Sequence, residues 1–204
     1  MESKSQKGCL VLADIAGYTG FLAQTEIDHA HIAISYLLET IVERLSDRLT
    51  IVKLEGDAVF AHVNENQMPP GETIMTVIDQ TYAAFRDKAA ALFKGTTYPC
   101  KACQALPSLD LKFMVHHGDY IIQQVAGIKD LLGSDVNLIH RLMKNQVTES
   151  TGWRGYALFT QQGLQRVQAD KGAFVQQSEA YEHFGDVETY VMDMHPRYAA
   201  LRNS

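Results

Sequence analysis

The sequence predicts an α+β domain built on an antiparallel sheet that carries helices. Three observations predict it. Short β-branched and apolar runs come in pairs around tight turns, as at Leu49–Leu54 and Ala58–Val63. Two longer stretches repeat apolar residues at helical spacing, about Thr25–Arg48 and Glu72–Lys94. The two kinds of segment follow the order β, α, β, β, α, β, β, α, β, α, β, and hairpins with helices laid on one face bury the apolar side of both.

Taken in order, Cys9–Ala13 is a continuous apolar run that stops at Asp14, which suits a buried strand delivering a polar group at its end. Ile15–Phe21 is a glycine-bearing turn. Ile32, Leu37, Leu38, Ile41, Val42 and Leu45 form the apolar stripe of the first helix. Glu55-Gly56-Asp57 joins the first hairpin. Asn64–Gly71 is a polar, proline-bearing loop, and Gly95–Ser108 is an irregular connector that holds Cys100 and Cys103. Leu109–His117 and Tyr120–Ala126 read as strands around a turn at His117-Gly118-Asp119. A helix follows from Ser134 or Asp135 to about Asn145, with Leu138 and Leu142 on its buried side. Gly155–Phe159 reads as a strand, Thr160–Val167 as a short helix, and Ala173–Gln177 and Thr189–Asp193 as late strands.

Composition narrows the function classes. A chain of 204 residues with 46% hydrophobic content suits one domain, here 1–204 with its core at about 8–195, and a sizeable buried core. A net charge of −6 argues against nucleic acid and anionic membrane as partners. No apolar run approaches the roughly 20 residues of a membrane span, and Met1–Gly8 lacks the apolar centre of a signal peptide. Three cysteines are too few for a secreted disulfide framework. The expected location is cytoplasmic. Cys100 and Cys103 have the spacing of half a zinc site, but a full site needs four ligands and only Cys9 remains as a thiol. His116 and His117 are adjacent in a strand and point to opposite faces.

Three segments carry residues suited to phosphate and metal chemistry. Asp14 ends the first strand, and Gly17-Tyr18-Thr19 after it can offer backbone N–H groups to phosphate oxygens. Asp57 sits at a hairpin tip, with Glu55 and Lys53 two and four positions back on the same side. Asp14 and Asp57 can share divalent ions. The third segment runs from Asp130 to Arg141. Asn137 and Arg141 lie four apart on one helix face, an amide and a guanidinium suited to a ribose and a phosphate. Each segment alone also reads as an ordinary turn or a wet helix face.

Together, Asp14-Ile-Ala-Gly-Tyr-Thr19, Lys53-Leu-Glu-Gly-Asp57 and Asp130-x-x-Gly133-x-x-Val136-Asn137-x-x-x-Arg141 resemble the motifs of class III adenylate and guanylate cyclase catalytic domains, in order and spacing. Glu26–His31 and the Cys-x-x-Cys connector resemble an uncharacterised bacterial branch of that family. The resemblance implies a ferredoxin-like antiparallel sheet flanked by helices. It implies two Mg²⁺ or Mn²⁺ ions on Asp14 and Asp57, Asn137 on the ribose and Arg141 on the α-phosphate. It also implies a homodimer whose active sites are shared between chains. Lys53 as donor and Asp130 as acceptor complement adenine at N1 and the exocyclic amine, so the expected substrate is ATP and the products are cyclic AMP and pyrophosphate. His183–Glu188 falls where the family often has a Lys-Gly-Lys-Gly strand and contains no lysine, leaving Lys144, Arg154 or another base to meet the terminal phosphates. Glu55 replaces a usually apolar residue and is expected to add negative charge near the metals. The rival expectations are a catalytically silent module that binds a nucleotide or a partner, and a cyclase for another base.

Overall fold

The computed structural model describes residues 4–67, 72–94, 101–167 and 171–203. Its elements are β1 (Gln6–Ala16), α1 (Tyr18–Gln24), α2 (Ile27–Ser46), β2 (Thr50–Glu55), β3 (Ala58–Asn64), α3 (Glu72–Lys94), α4 (Lys101–Ala105), β4 (Asp110–Val125), β5 (Ile128–Leu132), α5 (Ser134–Leu142), α6 (Val147–Thr151), β6 (Tyr156–Thr160), α7 (Gln161–Val167), β7 (Val175–Tyr181), β8 (Gly185–Asp193) and α8 (Met194–Asn203). One sheet takes the order β2-β3-β1-β4-β6-β8-β7, and β5 pairs with the far end of β4. All pairs are antiparallel except β4 with β6, which the chain joins by crossing over through α5 and α6. Among the described residues no helix is long and apolar enough to cross a membrane.

The sheet separates two cores because side chains alternate along each strand. Cys9, Val11, Ala13 and Ile15 of β1 face α2 and α3, joining Leu37, Ile41, Ile78 and Phe85. Leu10 and Leu12 face the other side, where Val136, Ile139 and Leu142 of α5 cover them together with Phe60 and Met114. Helices therefore lie on both faces, not one. The α5 stripe is the expected one, with Leu138 and Leu142 both buried. Asp14 shares the even-numbered side of β1, and so faces the α5 layer.

The turn expected at Gly118-Asp119 does not form. β4 runs unbroken from Asp110 to Val125 and turns instead at Ala126-Gly127, both with positive φ (51° and 85°), as a two-residue hairpin loop requires. Gly118 is needed for a close approach: a Cβ there would meet the Asp135 carboxylate at 2.3 Å. The late strands are longer than expected. β7 pairs along its whole length with Gly185–Val191 of β8, and the mostly polar, exposed residues of β7 and of the start of β8 give little apolar signal.

The histidines of β3 and β4 are buried. His116 bonds Thr160 Oγ1 (2.8 Å) on one face, and His117 faces Glu65 (3.8 Å) on the other. His62 meets the Tyr120 hydroxyl at 3.0 Å. Burial lowers the pKa of all three. The unfolded chain then binds more protons than the folded one below the ordinary histidine value of about 6.5. Their contribution to stability is complete above that value and is lost as pH falls through it toward the lower native values. The urea midpoint should drop between about pH 7.5 and about pH 5.5, and His116→Gln should flatten that drop. An equal drop in both proteins would remove His116 from the explanation.

Candidate active site

Asp14 lies near the end of β1, in register with Ala58 of β3 and Lys112 of β4. The β2–β3 turn brings Asp57 beside it. Gly56 takes the positive φ of that turn (67°), and Ile15 N–H donates to Asp57 O (3.2 Å), pinning the turn against β1. Burial first, and then the Asp14 charge, push the Asp57 carboxyl up to about 6. Lys112 Nζ sits 2.8 Å from Asp14 Oδ2. Burial pulls this ammonium down, but the Asp14 charge and hydrogen bond outweigh it, so its pKa is raised. The cluster is short of positive charge even with Lys112 in place, and that fits a hard divalent cation. Among the described residues no group of three His, Cys, Asp or Glu side chains converges on one point. The residues fit ions of the Mg²⁺ type, which bind one or two carboxylates and complete their shell from phosphates and water.

The turn after Asp14 places Gly17 at φ 89°, capping α1. A Cβ at Gly17 would come 2.5 Å from Arg154 Nη2, so that guanidinium lies over the turn. Thr19 is exposed, whereas Tyr18 packs partly buried against the α2–α3 core. The Tyr18 side chain therefore serves packing, and only its backbone remains for phosphate.

The proposed base-reading residues meet. Lys53 on β2 and Asp130 on β5 are 77 positions apart, yet Lys53 Nζ donates to Asp130 Oδ2 at 2.9 Å. For Asp130, burial raises the pKa, but the Lys53 and Leu131 N–H bonds lower it further, and the net shift is down. Glu55 does not add free negative charge beside Asp14 and Asp57. It sits 3.1 Å from Lys53 Nζ and 3.1 Å from His140 Nε2 of α5.

Asn137 and Arg141 are exposed one turn apart on α5. They line a groove of about 810 Å³ with Gly133, His140, Lys144 and His183. The β7–β8 turn thus closes one wall, and Lys144 and Arg141 both stand in the groove beside it. Asp14 and Asp57 are not among this groove's lining residues. Two participants escaped the sequence reading. Lys112 had a signal, a lone cation in the apolar run Leu111–Val115. His140 had none beyond lying next to Arg141. Cys100 lies outside the described residues, so the cysteine pair stays an expectation; Cys9 is buried and Cys103 is half-buried.

The family described as "Protein of unknown function (DUF2652)" matches residues 34–151. An uncharacterised protein of Mycobacterium tuberculosis is 34% identical over 117 residues, 56% of this chain and 52% of that protein, so the match spans about half the relative's length. Among solved structures, a bacterial light-regulated adenylyl cyclase superposes with a TM-score of 0.68 at 16% identity, over 100% of this chain and 58% of that one. The adenylyl cyclase CyaB from P. aeruginosa gives 0.66 at 17%, over 95% and 97%. A rhodopsin-guanylyl cyclase catalytic core with converted specificity, in complex with ATPαS, gives 0.60 at 22%, over 93% and 97%. At these identities the likeness is one of fold: an α+β sheet flanked by helices, shared with cyclase catalytic domains.

Proposed function

We propose that this chain, which belongs to the family described as "Protein of unknown function (DUF2652)", is a nucleotidyl cyclase that converts ATP to 3′,5′-cyclic AMP and pyrophosphate. One observation carries the reading: in a cyclase-like fold, the motif residues gather into two pairs, Asp14 with Asp57 and Lys53 with Asp130. The first pair fits cations and phosphate, and the second fits one base edge.

Two divalent ions on Asp14 and Asp57 would supply activation of the ribose 3′-hydroxyl and neutralisation of the triphosphate. This chain's own groups do the rest. Lys53 offers a hydrogen to adenine N1, and Asp130 accepts from the exocyclic amine. Guanine presents the opposite pattern and leaves both groups without a matching partner on the base. Asn137 orients the ribose, and Arg141 meets the charge that grows on the α-phosphate as pyrophosphate departs. Lys112 and Arg154 place positive charge near the carboxylate pair and the Gly17 turn, and Lys144 stands in the groove. The active unit is a homodimer with shared sites, as the likeness to class III cyclases implies, and Asp14 and Asp57 are not among the residues lining the Asn137–Arg141 groove.

The silent module remains the second reading, favoured by Glu182 and His183 in the groove wall where a lysine would be expected. The deciding experiment incubates the protein with each of the four ribonucleoside triphosphates and Mn²⁺, followed by chromatography. Cyclic AMP as main product supports the proposal; no cyclic product with retained nucleotide binding supports the silent module. Lys53→Glu should then lower the ATP-to-GTP preference by roughly five- to 150-fold, the cost of a mismatched buried polar contact of about 1–3 kcal/mol. An unchanged preference removes Lys53 and Asp130 from base reading.

A further inference from the structure

Resting on that base-reading role, we infer that Glu55 and His140 are positioning residues that aim the Lys53 ammonium at the base. An ammonium has three hydrogens on a flexible four-carbon stem. Asp130 Oδ2 takes one at 2.9 Å and Glu55 Oε1 takes a second at 3.1 Å. With two of its three directions held by carboxylates from β5 and β2, the ammonium has one N–H left, in one direction. A lysine bonded to Asp130 alone would keep two free hydrogens and could swivel to suit either base edge.

Glu55 is itself held. His140 Nε2 lies 3.1 Å from its carboxylate. The other ring nitrogen faces the Val136 carbonyl at 2.7 Å; that oxygen and the Glu55 carboxylate can only accept, so both ring nitrogens donate and the ring holds Glu55 as an imidazolium. The ring packs edge-on against Phe60 with centroids 4.8 Å apart. The imidazole is thereby locked in place on α5, next to Arg141 and one turn from Val136. The chain Asp130–Lys53–Glu55–His140 ties the base-reading strands to the helix that carries Asn137 and Arg141. His140 also lines the groove. A change in how α5 sits therefore reaches Lys53 through two polar contacts. This arrangement gives Glu55 and His140 a part in selectivity although neither needs to touch substrate.

The test measures binding of 3′-deoxy-ATP and 3′-deoxy-GTP with Mn²⁺ by calorimetry, so that it does not depend on turnover, and adds KM and kcat wherever the protein is active. Glu55→Gln and His140→Leu should each lower the adenine-to-guanine affinity ratio by about five- to tenfold, on the scale of one lost charge-assisted contact. KM for ATP should rise while kcat changes less than twofold. His140→Gln, whose amide nitrogen can take the place of Nε2, should keep most of the ratio. The Glu55→Leu/His140→Leu double variant removes both polar groups together, guards against misfolding of a single variant, and should show the same low ratio with a melting temperature near the parent's. Unchanged ratios in Glu55→Gln, His140→Leu and the double variant, alongside a lowered ratio in Lys53→Glu, would overturn the positioning role and leave base reading intact. An unchanged ratio in Lys53→Glu as well, or no binding of either nucleotide by the parent, would overturn both.

Discussion

Asp57→Ala protein should fold normally and lose at least about a hundredfold of Mn²⁺-supported turnover, the usual scale for removing one electrostatic element of a phosphate-type transition state. Asp57 is the better target of the two carboxylates. Asp14 is buried against Lys112, and its loss would leave that ammonium unpaired at a cost of about 3–5 kcal/mol. Asp57 instead carries a burden, since burial and the Asp14 charge raise its carboxyl from 3.8 to about 6. Between those values the folded chain binds more protons than the unfolded one. The stability tied to the protonated form is fully present below 3.8 and is lost as pH rises through about 6. In metal-free protein at neutral pH, Asp57→Ala should therefore melt no lower than the parent. Mn²⁺ should raise the melting temperature of the parent through binding to the folded state. That increase should shrink below about pH 6, as protons compete for the carboxylate, and should be absent in Asp57→Ala. Wild-type turnover by Asp57→Ala with unchanged metal dependence would show that the ions, if used, are held elsewhere.

Mixing Asp57→Ala with Asn137→Ala protein should restore activity that neither shows alone. Each homodimer has two damaged sites. After subunit exchange, half the dimers are mixed, and each mixed dimer has one doubly damaged and one intact site, so recovery should approach about a quarter of the wild-type level. The surface argues for a second copy as the partner. Val125, Ile128 and Leu132 on the β4–β5 arm are 65%, 73% and 52% exposed. An exposed apolar patch of this kind, with Leu132 also lining the Asn137–Arg141 groove, suits the proposed contact with a second copy. Mass measurement should show the dimer and the exchange. Demonstrated exchange without recovery would place the whole site within one chain, or make the two sites interdependent.

Much of this protein was determined locally by its sequence. The α3 boundaries, Glu72–Lys94, follow from apolar spacing, and the β2–β3 turn follows from Gly56-Asp57, because a helix stripe or a tight turn is encoded within a few residues. The alternation that sends His116 and His117 to opposite faces is likewise local. The metal-type carboxylates and the Lys53–Asp130 pair were legible as motif positions. Their contacts were not, because a contact between β2 and β5 depends on how distant strands come into register. Gly118 looked like a turn residue, and only the approach of Asp135 from α5 explains why a glycine stands inside a strand. Lys112 looked like an interruption in an apolar run until the β1–β4 register set it opposite Asp14. Glu55 looked like surplus charge until α5 brought His140 to it across 85 positions. Side-chain chemistry and local backbone preference are written residue by residue; which charges neutralise one another is decided by packing, since an ion pair needs a distance of a few ångströms that spacing along the chain does not fix.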